Sequence, residues 1–180
     1  CGYDYQGRRY MKKVTVNGTV ASHERYLYRG YLQLAALDML DNRNVLRTLL
    51  WDPLEPVATR PVALVQAASL YCYGWDFNKN VTEVFDREGA VAATYDYSPY
   101  GTVTGTGSLV QPVQWSSEMN DGKLALVYYN YRYYNPADGR WINRVQSLQK
   151  EDGICMGLLI MKWYSLLIIS EKKLTNLATQ

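Results

Sequence analysis

The sequence predicts a mainly β protein, an antiparallel meander of short strands, and three observations lead there. Tyrosine occurs 17 times against 2 phenylalanines, with 5 tryptophans, and aromatic side chains suit a pleated, half-buried surface. A phrase of Tyr-x-Tyr or Tyr-Asp followed within a few residues by Gly recurs at least four times, and such self-similarity marks stacked repeat units. Between Asn80 and Val103 the chain alternates strand-like runs with polar turns at hairpin spacing.

Each phrase reads as the end of one strand, a polar turn in which Gly supplies positive φ, and the start of the next strand. Alternating tyrosines then place their rings on one face. Tyr3-Asp4-Tyr5-Gln6-Gly7-Arg8-Arg9 is the clearest copy, and Tyr26-Leu27-Tyr28-Arg29-Gly30 is a looser one. From Tyr31 to Leu50, Leu32, Leu34, Leu37 and Leu40 fit either a short helix or two strands around Asp41-Asn42-Arg43-Asn44; strands are the favoured reading. Pro53, Pro56 and Pro61 are expected to break regular structure. After Tyr71-Cys72-Tyr73-Gly74 come a strand at Val81–Phe85, a turn at Asp86–Gly89, a returning strand from Ala90 to Tyr97, and a turn at Ser98-Pro99-Tyr100-Gly101. Gly101 to Pro112, rich in Thr, Gly and Ser, reads as a loop, and Asn120-Asp121-Gly122 as a hairpin turn leading into Leu124–Tyr134.

Chemistry-bearing patterns are scarce. The formal charge of +2 is spread along the chain without a Lys/Arg block, which argues against nucleic acid or an anionic membrane as partner. Cys1, Cys72 and Cys155 match neither a disulfide framework nor zinc-ligand spacing. His23, the one histidine, reads as a solvated loop residue beside Asn17-Gly18. Asp76, Glu83, Asp86 and Glu88 fall in turns and on strand faces with no motif to pair them as a glycosidase acid and nucleophile. No catalytic residue, cofactor or metal is assigned, and an enzyme is not expected. The chain opens at Cys1 inside a repeat phrase with no signal-peptide pattern, so the true N-terminus is expected upstream.

Tyr128-Tyr129-Asn130-Tyr131-Arg132-Tyr133-Tyr134-Asn135-Pro136-Ala137-Asp138-Gly139-Arg140-Trp141 carries the most specific pattern. It resembles the repeat-associated core motif of rearrangement-hotspot (Rhs) or tyrosine-aspartate (YD) repeat proteins. That motif is an aromatic strand with Arg and paired Tyr, then Asn or Asp, Pro, a Gly-Arg pair and an aromatic residue. Together with Tyr3, Asp4, Gly7 and Arg8, and with Tyr95, Asp96, Tyr97 and Gly101, the resemblance covers about residues 1–144. It implies a segment of a spiralling β-shell that in bacterial members encloses a C-terminal polymorphic toxin. The partners implied are the rest of the shell and that cargo, in a parent that is secreted or on the cell surface. In the family an Asp-Pro for self-cleavage follows the Gly-Arg-aromatic turn; Val145 and Gln146 stand there instead.

Locally, Tyr129, Arg132, Tyr133, Tyr134, Asn135, Pro136, Gly139, Arg140 and Trp141 describe a strand-turn-strand unit, with Arg132 and Arg140 expected over tyrosine faces. The competing reading is a binding module for glycans or a cell-surface protein, using Tyr128, Tyr129, Tyr131, Tyr133 and Tyr134 as stacking faces. Which face the rings occupy discriminates the two.

A second region, residues 145–180, departs from the pattern. Ile154 to Ile169 is nearly all apolar apart from Lys162 and Ser165. It falls short of the roughly 20 apolar residues of a membrane span, leaving a buried helix or an exposed apolar tail. A third explanation is a frameshift. AT-rich codons for Gly153–Lys162, shifted by two bases, yield Asn-Leu-Tyr-Gly-Phe-Ile-Asn-Asn-Glu, which is similar to the next piece of the family core; the product would then be truncated.

Overall fold

In the computed structural model of this protein the described residues are 1–54 and 60–142, all within one compact unit, Cys1–Asn143. The expectations for residues 145–180, and for Pro56, lie outside them. Ten strands form the first antiparallel sheet: β1 (Gly2–Tyr3), β2 (Arg9–Val16), β3 (Thr19–Arg29), β4 (Leu32–Asp38), β5 (Val45–Trp51), β6 (Pro61–Gln66), β7 (Ser69–Trp75), β8 (Val81–Phe85), β9 (Val91–Tyr97) and β10 (Val103–Gly107). The second sheet has four, β11 (Met119–Asp121), β12 (Leu126–Tyr129), β13 (Arg132–Asn135) and β14 (Arg140–Trp141). In both sheets strand order equals chain order, so the protein is mainly β and a meander, as the tyrosine pattern and turn spacing predict.

Local chemistry explains the regularity. The same five-residue loop recurs at 4–8, 76–80, 86–90 and 98–102. Its first residue, Asp4, Asp76, Asp86 or Ser98, donates its amide to the carbonyl of the fifth at 2.8–3.0 Å. The first residue's side chain accepts the amide of the fifth, from Arg8 N, Asn80 N, Ala90 N and Thr102 N, also at 2.8–3.0 Å. The fourth residue takes positive φ, 77° at Gly7, 65° at Lys79, 85° at Gly89 and 84° at Gly101, a conformation that favours glycine. A short acceptor at the strand end thus replaces the ladder partners that the turning backbone loses.

An aromatic residue near the end of every second strand from β3 to β9 closes the hairpin behind it. Tyr28 Oη donates to the Arg9 carbonyl (2.9 Å), Trp51 Nε1 to that of Gln33 (2.8 Å), Trp75 Nε1 to that of Pro61 (2.7 Å) and Tyr97 Oη to that of Val81 (2.6 Å). Two residues earlier on each strand, and so on the same face, Tyr26, Leu49, Tyr73 and Tyr95 are buried. The structural repeat is therefore a pair of strands, about 23 residues, ending in an aromatic residue that Asp52, Asp76 or Ser98 follows in the last three units. The counterpart of Tyr3-Asp4 is Trp51-Asp52, Trp75-Asp76 and Tyr97-Ser98 rather than Tyr95-Asp96, whose Asp96 is exposed within β9.

Several local expectations shift. The 31–50 region forms strands β4 and β5, joined through the turn in which Asn44 N donates to the Asp41 carbonyl. Pro61 does not break structure but opens β6, opposite Trp51 at a register shift, a position where a missing N–H is tolerated. The 101–112 segment is not all loop: β10 lies on β9, with Gly105 against the Tyr95 ring. Asn120 and Asp121 belong to β11, and the turn follows them. Leu124–Tyr134 is split by a tight turn at Asn130 (φ 52°) into β12 and β13. His23 lies half-buried within β3, not in a loop.

One core joins the sheets. Leu49, Leu64, Tyr73, Val81, Val84, Ala93 and Tyr95 of the large sheet pack with Val113, Met119 and Tyr128. Val81 N also donates to the Gln114 carbonyl at 3.1 Å.

Candidate functional site: the seat of the motif hairpins

The motif residues of β12–β14 form an aromatic sheet held by loops from both ends of the large sheet. Tyr129 and Tyr134 meet Trp141 with ring centroids 5.0 and 5.3 Å away. Arg132 lies over the Trp141 ring at 3.8 Å. That corrects the expected tyrosine partner: the β13–β14 pairing sets Tyr134 opposite Trp141 and brings the indole, not a phenol, under the guanidinium. Asn135 Nδ2 donates to Asp138 Oδ2 and Asn135 Oδ1 accepts the Ala137 amide, so the Asn135–Gly139 turn closes on itself around Pro136, with Gly139 at φ 63° leading into Arg140.

Two loops of the large sheet, far apart in sequence, seat this unit. At the 98–102 loop, Tyr134 Oη donates to the Tyr100 carbonyl (2.9 Å) and the Tyr100 ring faces Gly139, where an added Cβ would lie 3.0 Å away. Gly101 packs against Trp115, where a Cβ would fall 2.6 Å from the ring. At the 4–8 loop, Gly7 lies against the Tyr131 ring, and Tyr3 and Tyr133 share a 2.9 Å hydroxyl–hydroxyl hydrogen bond. Asp4 pairs with Arg8 at 2.8 Å.

At the centre stands a group the sequence gives no reason to single out. Arg9 is buried at 4 % exposure. Its guanidinium pairs with Asp121 at 2.7 Å and lies over Tyr128 at 4.7 Å and Tyr26 at 5.3 Å. Its amide donates to Tyr128 Oη at 2.6 Å. Lys12 pairs with the other oxygen of Asp121 at 2.5 Å. Burial acts to raise the Asp121 carboxyl, but the hydrogen bonds and charges of Lys12 and Arg9 outweigh it and hold the group below its ordinary range. Burial pushes the Tyr26, Tyr28 and Tyr133 hydroxyls well above theirs.

The rings face both ways. Tyr128 is 1 % exposed and Tyr129, Tyr133 and Tyr134 are half-buried, while Tyr131 is exposed. The five residues do not form one open stacking platform. Among the described residues no group of three or more His, Cys, Asp or Glu could hold a metal ion.

These features define an open antiparallel meander with an appended small sheet. No protein-family model matches the sequence, and no curated protein is significantly similar to it. Solved structures do share the fold. The crystal structure of TcdB2-TccC3 aligns with a TM-score of 0.55 at 20 % identity, covering 77 % of this chain. That of TcdB2-TccC3-Cdc42 aligns at 0.60 and 20 % identity, covering 81 %. The chain spans 7–8 % of the length of these neighbours.

Proposed function

We propose that this chain is a non-catalytic structural segment of an Rhs-type toxin shell, one that encloses a C-terminal cargo in a secreted or cell-surface parent. The observation that carries the reading is the seat: the first and last Asp or Ser loops of the repeat sheet both clamp the motif hairpins. Repeat units stack on their neighbours, and β1 and β10 leave both edges of the large sheet open for such stacking. The fold likeness to the TcdB2-TccC3 structures supports this. Hydrogen exchange tests it, on the 180-residue chain and on the longer in-frame parent polypeptide. The amides of β1 and β10 that point away from β2 and β9 are expected to be protected only in the parent; equally fast exchange in both overturns the shell reading.

One observation favours the second reading, a glycan- or protein-binding module. Tyr31, Leu54, Phe77 and Tyr100 follow at 23-residue intervals at one end of the strands, and Leu54 (86 %), Phe77 (104 %) and Tyr100 (65 %) are strongly exposed. Screening the chain against immobilised glycans, with Phe77→Ala as control, separates the two: specific capture lost in the variant supports binding.

A further inference from the structure

Between the two sheets lies a cavity of about 20 Å³, of the size that holds one water-sized group. Tyr28, Tyr31 and Trp51 from the large sheet and Tyr128 from the small one supply aromatic walls, with Gln33 and Glu118 as polar lining. Tyr31 is 54 % exposed, so the cavity reaches solvent on that side. Two features of the lining are unusual. Gln33 is 3 % exposed and its Nε2 has no hydrogen-bond partner. Glu118 is half-buried, burial alone shifts its carboxyl, and no Lys or Arg lines the cavity. The buried Asp121 carboxylate, by contrast, is answered by Arg9 and Lys12.

We propose that this cavity receives a primary ammonium group, with Glu118 as its counter-ion and the Tyr and Trp faces as its walls. An ammonium suits the lining on three counts. It supplies the positive charge that a water molecule lacks. Aromatic faces attract a desolvated cation within about 6 Å of the ring centroid. Turning the Gln33 amide over places its carbonyl oxygen where the unpartnered nitrogen now stands, giving the ammonium a second acceptor. Burial pushes the Glu118 carboxyl up to about 8, and an ammonium beside it stabilises the carboxylate and draws it back down. The facing Tyr28 and Tyr128 hydroxyls are pushed above their usual range and stay neutral. An alkylammonium loses its own proton above about pH 10. Binding is therefore tightest between these limits.

The source is either a small free amine or a lysine side chain. The experiment is urea unfolding of the 180-residue chain at pH 9 in methylammonium chloride, against NaCl at equal ionic strength. A ligand of the native state at ten times its Kd raises the folding equilibrium constant about 11-fold. That rise is expected in methylammonium for the wild type and not for Glu118→Gln. Nα-acetyl-lysine amide is run in parallel: a stronger response than to methylammonium assigns the site to a lysine side chain, a weaker one to a small amine. As a second readout on wild type alone, the carboxyl carbon shift of Glu118 should titrate at lower pH when methylammonium is present. An equal response in Glu118→Gln, or no difference from NaCl with no change in that titration, overturns the proposal.

Discussion

The ten-stranded and four-stranded sheets are both antiparallel meanders, yet different forces hold them. In the large sheet the loop at 86–90 is complete within five residues: Asp86 accepts the Glu88 and Ala90 amides, and Gly89 takes the positive φ. Each aromatic clasp likewise spans one hairpin. The strands of the small sheet are only two to four residues long, shorter than the usual length of about five or six. It is kept in place by contacts a hundred residues or more apart, from Arg9 to Asp121 and Tyr128 and from Tyr31 to Tyr131. Repeated local units thus build the platform, and one buried charged and aromatic cluster fixes what sits on it.

Breaking the long-range cluster should cost most. Asp121→Ala leaves Arg9 buried without its counter-ion, and about 3–5 kcal/mol of unfolding free energy is expected to be lost in urea titrations. A loss below about 1 kcal/mol would place the strength of the seam in its rings instead.

The two classes of glycine sharpen the contrast. Gly101→Ala must meet both the φ of 84° and Trp115 at 2.6 Å, and overpacking of this kind costs about 1–3 kcal/mol beyond backbone strain. Gly18→Ala meets nothing within 4 Å at φ 80°, so only the strain of about 1–2 kcal/mol remains. Thermal melts of the two variants should rank Gly101→Ala clearly lower.

A local change should, by contrast, improve the large sheet. Ala67 and Ala68 occupy a two-residue turn with φ of 49° and 60°, the place where Asn-Gly is favoured and where Asn17-Gly18 stands between β2 and β3. Ala67→Asn with Ala68→Gly is expected to raise stability by about 1–2 kcal/mol, read from the urea midpoint.

A pH slope tells the carboxyls of Glu118 and Asp121 apart. Glu118, raised from 4.5 to about 8, contributes stability that is complete below 4.5 and declines as pH rises towards 8. Asp121, lowered from 3.8, has the opposite sign: its contribution is present above 3.8 and lost on acidification. Glu118→Gln should flatten the decline between pH 5 and 8 and leave the acid limb unchanged; an unaltered slope would assign it to other groups.

The sequence by itself determined the platform. Alternating Tyr, Asp and Gly at the turns, and the Asn-Pro-x-x-Gly-Arg phrase act on neighbours within a few residues, so strand, turn and meander were readable from residue order. Lys79 shows the limit even there, since its φ of 65° is held without the glycine that marks the other loops. What the tertiary structure decided is the pairing of distant groups. Arg9 is the second of two adjacent arginines, Asp121 sat in a presumed turn, and Glu118 carried no motif at all. Their burial depends on how one sheet closes over another, and charge burial leaves no periodic trace along the chain. The choice of Trp141 over a tyrosine as the partner of Arg132 was decided in the same way, by the register in which β13 met β14.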